Sequence, residues 1–200
     1  MVVSVSGNAG MALGMAGELT TYRRKRDFSR TPEPRPRRAK RVRRLRYVIQ
    51  KHDATRLHYD LRLEAGGVMK SWAVPKGPSL NPADKRLAVP TEDHPVAYNR
   101  FEGVIPEGEY GAGSVIVWDK GWYEPTTEGS PARAIQNGAL KFELHGEKLR
   151  GGFALRRLGE RNWILVKMKD AFAERSGDIT KSLPASVVTG RTIDQVRAAG

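Results

Sequence analysis

Residues 47–64 read YVIQKHDATRLHYDLRLE, and in the second half Leu57, Tyr59, Leu61 and Leu63 interleave one by one with His58, Asp60, Arg62 and Glu64. In an extended strand successive side chains point to opposite faces, so this spacing predicts one apolar face and one ladder of imidazole, carboxylate and guanidinium. The apolar set can enter a core. The polar set then faces a single cavity or the solvent. His52 lies an even number of residues before His58 and joins that face if the intervening segment curls back.

Working outward, the same kind of short run recurs as VMKSWAVP, RLAVP, SVIVWD, GWYE, ALKFELHG, GFALRRL and NWILVKM, punctuated by Gly66-Gly67, Pro75-Lys76-Gly77-Pro78 and Gly151-Gly152. About eight short strands with tight connections predict a mostly all-β chain, an antiparallel sandwich or barrel rather than an α/β fold. Helix is expected only around Pro131 to Gln136, and from Ile193 to Ala199 with Thr192 as N-cap. Trp72, Trp118, Trp122 and Trp163 lie in apolar runs and are expected in the core. His145 is expected in a turn or on the surface.

The 200 residues suffice for one buried core with tails. Residues 1–20 are small and aperiodic and are expected to form a disordered extension. Residues 21–46 hold most of the excess of a formal net charge of +13, and Pro32, Pro34 and Pro36 keep the middle of this segment from being helical. It is expected to be an extended basic arm, with a solvated linker as the plainer alternative. Residues 47–170 would be the β domain and residues 171–200 a tail or linker. So much positive charge suits a polyanion, because each cation set on a phosphate can release a counterion. There is no cysteine, which excludes thiolate nucleophiles, disulfides and cysteine-bound zinc. A basic leader and a 20-residue apolar run are also missing from the sequence, so a cytoplasmic, nucleoid-associated location is expected.

Two imidazoles and a carboxylate, His52, His58 and Asp60, make a three-point set that leaves positions open for water and a substrate oxygen. With phosphate as the expected ligand, Mn²⁺ is the first choice, with Zn²⁺ or Co²⁺ as substitutes. Arg62 would share the face and bind phosphate through its planar fork. Two other readings stay open at this point. The polar face can be a plain solvent face, or His58 and Asp60 can join His94 in the facial triad of a non-haem iron oxygenase. The loop Glu92-Asp93-His94-Pro95, followed by Tyr98, offers His94 as a general acid or a cation bracing phosphate. Lys76 and Arg86 add charge at strand ends. The glycine-rich segment 103–113 lacks the Gly-Lys-Ser/Thr ending of a nucleotide loop and suits turns and bulges.

The segments YRRKRDFSRTPEP, VIQKHDATRLHYDLRLE, SWAVPKGPS, KRLAV, EDHP, FEGVIPEGEYGAG and LHGEKLRGGFALRR together resemble the 3′-phosphoesterase module of bacterial DNA ligase D, from about Tyr22 onward. The resemblance implies a small β-barrel, a Mn²⁺ site and a two-step reaction at DNA 3′ ends in non-homologous end joining. A phosphodiesterase step removes a terminal ribonucleoside, and a phosphomonoesterase step clears the remaining phosphate. It implies His52, His58 and Asp60 as metal ligands and Arg62 and His94 as phosphate contacts. Tyr98, Lys76, Gln50, Arg86 and Glu92 fall at further active-site positions, and Arg26, Asp27 and Glu33 at functional positions of the arm. It further implies DNA 3′ ends as substrate and ligase, polymerase and end-bridging proteins as partners. Pro90 departs from the family, which often carries histidine there. The competing expectation is a catalytically silent basic barrel that binds DNA ends and recruits repair proteins.

Overall fold

A computed structural model describes residues 19–37 and 44–200. The extension expected at residues 1–20 lies outside the described residues up to residue 18, and so do residues 38–43 of the arm. Leu19 and Thr20, assigned to that extension, belong to the folded chain: Leu19 is buried and Thr20 opens helix α1 (Thr20–Arg24).

Among the described residues nine strands follow: β1 (Leu45–Asp53), β2 (Leu57–Ala65), β3 (Val68–Val74), β4 (Arg86–Pro90), β5 (Gly103–Ile105), β6 (Gly113–Pro125), β7 (Ala139–Gly146), β8 (Arg150–Leu158) and β9 (Asn162–Lys167). They pair antiparallel in the order β1-β2-β3-β4-β9-β8-β7-β6-β5, and β1 also pairs with β6. That last pairing, from Leu45↔Tyr123 to Asp53↔Ser114 with a bulge at Ile49/Gln50, closes eight strands into the expected antiparallel barrel. Closure removes the open edges that a flat sheet would expose. Strand β5 flanks β6 on its other side, with Gly103 opposite Val115. Gly113, at φ +137°, begins β6 where a Cβ would run into the Asp53 carbonyl. Glycine there lets the two closing strands touch.

The apolar faces meet inside the barrel. Tyr47, Ile49, Tyr59, Leu61, Leu63, Trp72, Trp118, Phe142, Phe153 and Trp163 belong to one core cluster. A second apolar cluster lies outside it, where Leu19, Tyr22 and partly buried Phe28 from the N-terminal arm meet Val68, Tyr98, Phe101, Ile105 and Val115. Trp122 departs from expectation. It is only partly buried and stacks on His145 at 3.6 Å between centroids, because its neighbour Tyr123 takes the inward position at that point of β6.

Helices are short. Helix α2 (Pro131–Gln136) starts with the Ser130 side chain accepting from Arg133 N–H, with Pro131 in the first turn. Helix α3 (Ile179–Ser182) and helix α4 (Ile193–Arg197) lie in the C-terminal segment, and Thr192 with Gln195 forms a capping box on α4. Helix α4 thus ends two residues before the expected Ala199. The segment expected as a tail or linker packs on the barrel: Trp118 Nε1–H donates to Leu183 O at 2.7 Å, Ile193 and Val196 cover Ile116, and Arg197 pairs with Asp53. Among the described residues no helix is long and apolar enough to cross a membrane.

Candidate metal centre and its cleft

Strands β1 and β2 pair in a register that sets Gln50 opposite Asp60, His52 opposite His58 and Val48 opposite Arg62. With Ile49, Tyr59 and Leu61 in the barrel core, alternation turns Gln50, His52, His58, Asp60 and Arg62 to the outer wall. That wall is not a solvent face. Gln50, His52, Asp60, Arg62 and Glu64 are all buried, because the arm and the segment from Glu92 to Gly111 lie over it.

His52 Nε2 sits 2.9 Å from the Gly111 carbonyl and His58 Nδ1 sits 2.8 Å from the Arg56 carbonyl. A carbonyl can only accept, so each of these nitrogens carries the proton, and the opposite nitrogens keep their lone pairs. Those nitrogens, His52 Nδ1 and His58 Nε2, lie 3.6 and 3.7 Å from the Asp60 carboxylate oxygens. The three ligand atoms lie within 4.8 Å of one another. Three converging acceptors, with both imidazole tautomers fixed by backbone carbonyls, are the donor set and the outer support that a divalent ion requires. Burial by itself would raise the Asp60 carboxyl, but the Arg62 guanidinium 2.9 Å away holds it far below the usual carboxylate range. The site therefore keeps its negative charge.

Arg62 organises the ground beside it. Its Nε donates to Gln50 Oε1 at 2.8 Å and its Nη2 to Asp60 Oδ2 at 2.9 Å, while Nη1 lies 2.9 Å from His94 Nδ1. Gln50 in turn donates to the carbonyls of Tyr98 and Phe101, tying the loop over the wall. Arg26 reaches in from the arm, bonded through Nε to Glu33 at 2.8 Å and through Nη1 to Glu92 at 3.0 Å, with its guanidinium 3.8 Å above the Tyr22 ring. The arm is therefore not simply extended. It begins with α1 and is anchored by buried Tyr22 and Glu33.

His94 is pinned by a two-way backbone bridge to Met69 and lies between two guanidiniums, with Arg26 Nη2 3.4 Å from its Nε2. Burial first, then Arg62 and Arg26, push its pKa well below the ordinary imidazole value. That shift favours the neutral imidazole in the free protein, so a His94 cation that braces phosphate needs the added negative charge of the phosphate itself. The consequence can be measured. Below about pH 6.5 the unfolded chain takes up a proton that folded His94 refuses, so stability falls with falling pH by about 1.4 kcal/mol per pH unit until the depressed pKa is reached. In EDTA, denaturant titrations from pH 7.5 to 5.5 should show this loss in the wild type and a shallower one in His94→Gln. Equal slopes would mean that His94 titrates normally.

One cleft of about 260 Å³ gathers His52, His58, Asp60, Arg62, Arg26, Glu92, His94 and Tyr98. His52, not His94, completes the group with His58 and Asp60; His94 is bonded to the far side of Arg62, which removes the basis of the oxygenase-like triad. Gln50 and Glu33 act behind the lining. Asp27 is exposed and closes a turn by accepting from Ser29. Lys76 is exposed in the turn after β3, and Arg86 pairs with Asp84 at 3.0 Å; neither lines the cleft. The sequence reading missed Tyr110, Thr91 and the Gly111 carbonyl. The glycine-rich segment suggested turns, and the turn does form, but it folds over the metal group and supplies the oxygen that orients His52.

The profile of the DNA Ligase D 3′-phosphoesterase domain matches residues 50–157. Similar over most of this chain are two proteins named multifunctional non-homologous end joining protein LigD. The one from Pseudomonas aeruginosa is 52% identical over 183 residues, 88% of this chain and 22% of its own length. The one from Mycolicibacterium smegmatis is 45% identical over 174 residues, 84% of this chain and 23% of its own length. The corresponding DNA repair protein of Mycobacterium tuberculosis is 46% identical over 158 residues, 78% of this chain and 20% of its own length. The chain thus spans about a fifth of the curated relatives it matches.

Proposed function

The chain belongs to the family of DNA ligase D 3′-phosphoesterase domains, and from that premise we propose that it hydrolyses phosphate esters at DNA 3′ ends during non-homologous end joining. The observation that carries this reading is one cleft in which three acceptors suited to a divalent ion adjoin two guanidiniums and an imidazole. One part of such a site wants a metal. The other wants an oxyanion.

His52, His58 and Asp60 would hold Mn²⁺, with Co²⁺ or Zn²⁺ as substitutes, since nitrogen and carboxylate donors without thiolate suit these ions. When bound, the ion supplies Lewis-acid polarisation of a phosphoryl oxygen and a more acidic water. Arg62 offers its fork to the phosphate, held in aim by Gln50 and Asp60. Arg26 adds a second guanidinium from the arm. A phosphate between them brings the opposite charge that free His94 lacks, which allows the imidazole to carry a proton to the leaving oxygen. Burial, then the charge of Glu33, keeps the Tyr98 phenol protonated far above neutrality, so Tyr98 serves as a donor. Lys76 and Arg86 do not line the cleft and are given no step in the reaction. The removal of a terminal ribonucleoside followed by the remaining 3′-phosphate is the reaction order proposed here, with ligase, polymerase and end-bridging proteins as partners in the bacterial cytoplasm at the nucleoid.

The test uses labelled primer-templates ending in a 3′-ribonucleotide or a 3′-phosphate, with Mn²⁺ or with EDTA. A shortened, 3′-hydroxyl product with Mn²⁺ alone is the expected result. A primer that is shifted in a gel yet keeps its length and terminus would assign the chain to DNA-end binding without catalysis.

A further inference from the structure

The metal cleft has a neighbour. A shallower groove of about 440 Å³ is lined by Thr21, Lys25, Pro90, Asp93 and three residues shared with the cleft, Thr91, Glu92 and Tyr110. The partition between the two is a short bar of side chains. Lys25 Nζ is 3.1 Å from Glu92 Oε2 and 2.8 Å from the Tyr110 hydroxyl, and the same ammonium lies 4.0 Å from the centre of the Tyr110 ring.

Size separates the two compartments. The metal cleft holds about 260 Å³, against the roughly 300–1,000 Å³ typical of small-molecule pockets, so a phosphate seated in it leaves little room for the base attached to the same sugar. The groove falls inside that range and opens from the same rim. Tyr110 is the large aromatic at that rim, and it is 47% exposed. An aromatic ring that stands in water beside a phosphate cleft, braced by a cation, is what a nucleobase can stack on without regard to sequence. The segment that carries it is held in place from both sides, since Arg30 of the arm pairs with Glu109 at 3.0 Å and the Gly111 carbonyl faces His52.

We propose that this groove is a nucleoside subsite, in which the 3′-terminal base stacks on Tyr110 while its phosphate lies across the Lys25–Glu92 bar in the metal cleft. The assignment rests on the phosphoesterase reading and specifies its substrate as a nucleotide end with a base, not a bare phosphosugar. Pro90, also in the groove lining, adds an apolar surface without a hydrogen-bond donor.

The experiment places 2-aminopurine at the 3′ terminus of a primer-template and titrates it with the full chain in EDTA, so that the signal is independent of turnover. Stacking should quench the fluorescence. Tyr110→Ala should abolish the quench and weaken binding of base-bearing ends by about 5- to 150-fold, while Tyr110→Trp and Tyr110→Phe retain both. On an otherwise identical primer with an abasic 3′ terminus, the loss in Tyr110→Ala should be clearly smaller, limited to the lost Lys25 contact. An equal penalty on abasic and base-bearing ends, or equal losses in the Ala and Trp variants, would make Tyr110 a brace for the loop and overturn the proposal. If wild-type protein quenches the probe but hydrolyses no 3′ end in Mn²⁺, the phosphoesterase reading fails and the base subsite stands.

Discussion

Asp60→Ala is expected to abolish divalent-metal binding and to destabilise the fold at the same time. The carboxylate is the anionic member of the ligand group and the counter-charge to Arg62, at 2.9 Å with both side chains almost wholly buried. Truncating it leaves a guanidinium buried without that partner, a change that costs about 3–5 kcal/mol. Calorimetric titration with Mn²⁺ should show no saturable heat, and urea denaturation in EDTA should show the lowered midpoint. Asp60→Asn keeps an oxygen for Arg62 and so should recover part of the stability but not the metal. Undiminished Mn²⁺ affinity in either variant would remove Asp60 from the ligand set.

Arg62→Lys separates charge from geometry. Lysine retains the positive charge but not the planar fork that reaches Gln50, His94 and Asp60 at once. The metal group itself remains, so Mn²⁺ affinity should stay within a few-fold of wild type. The kcat/KM for 3′-phosphate removal should nevertheless fall by about 10²- to 10³-fold, the scale seen when one aligned donor to a developing oxyanion is lost. A loss smaller than about threefold in a folded, metal-binding variant would move phosphate recognition to Arg26 and leave Arg62 as a brace.

Much of this arrangement was legible in residues 57–64. Strict alternation told which side chains of β2 enter the barrel and which share the opposite wall, since the period of a strand admits little else. The meeting of His52 with His58 was conditional in the sequence, because it depends on the β1–β2 register rather than on spacing alone; the pairing of the two histidines supplies it. Barrel closure was not legible from any local run, because β1 and β6 meet across 61 to 78 positions of chain, from Asp53↔Ser114 to Leu45↔Tyr123. A polar wall usually faces water, and only the arm and the loop over it turn this one into a buried site. Trp122 shows the same limit: an apolar run announces a strand, but which of two adjacent aromatics faces inward is set by pairing with β1 and β7. Lys76 and Arg86, offered first as charges at strand ends, and Asp27, offered by the resemblance, lie outside the cleft, where charge type by itself gives no direction.

The chain has two greasy layers of unequal security. The inner one is enclosed by a continuous ring of strand pairing; the outer one is a patch of apolar contacts between the barrel's flank and the segment that carries the five-residue helix α1. Arg26, Glu33, Tyr98 and the covering loop all depend on the outer layer. Gentle warming should therefore peel the lid before it melts the drum, and a sample that has fallen silent toward its substrate can still present an intact β signature in the far ultraviolet.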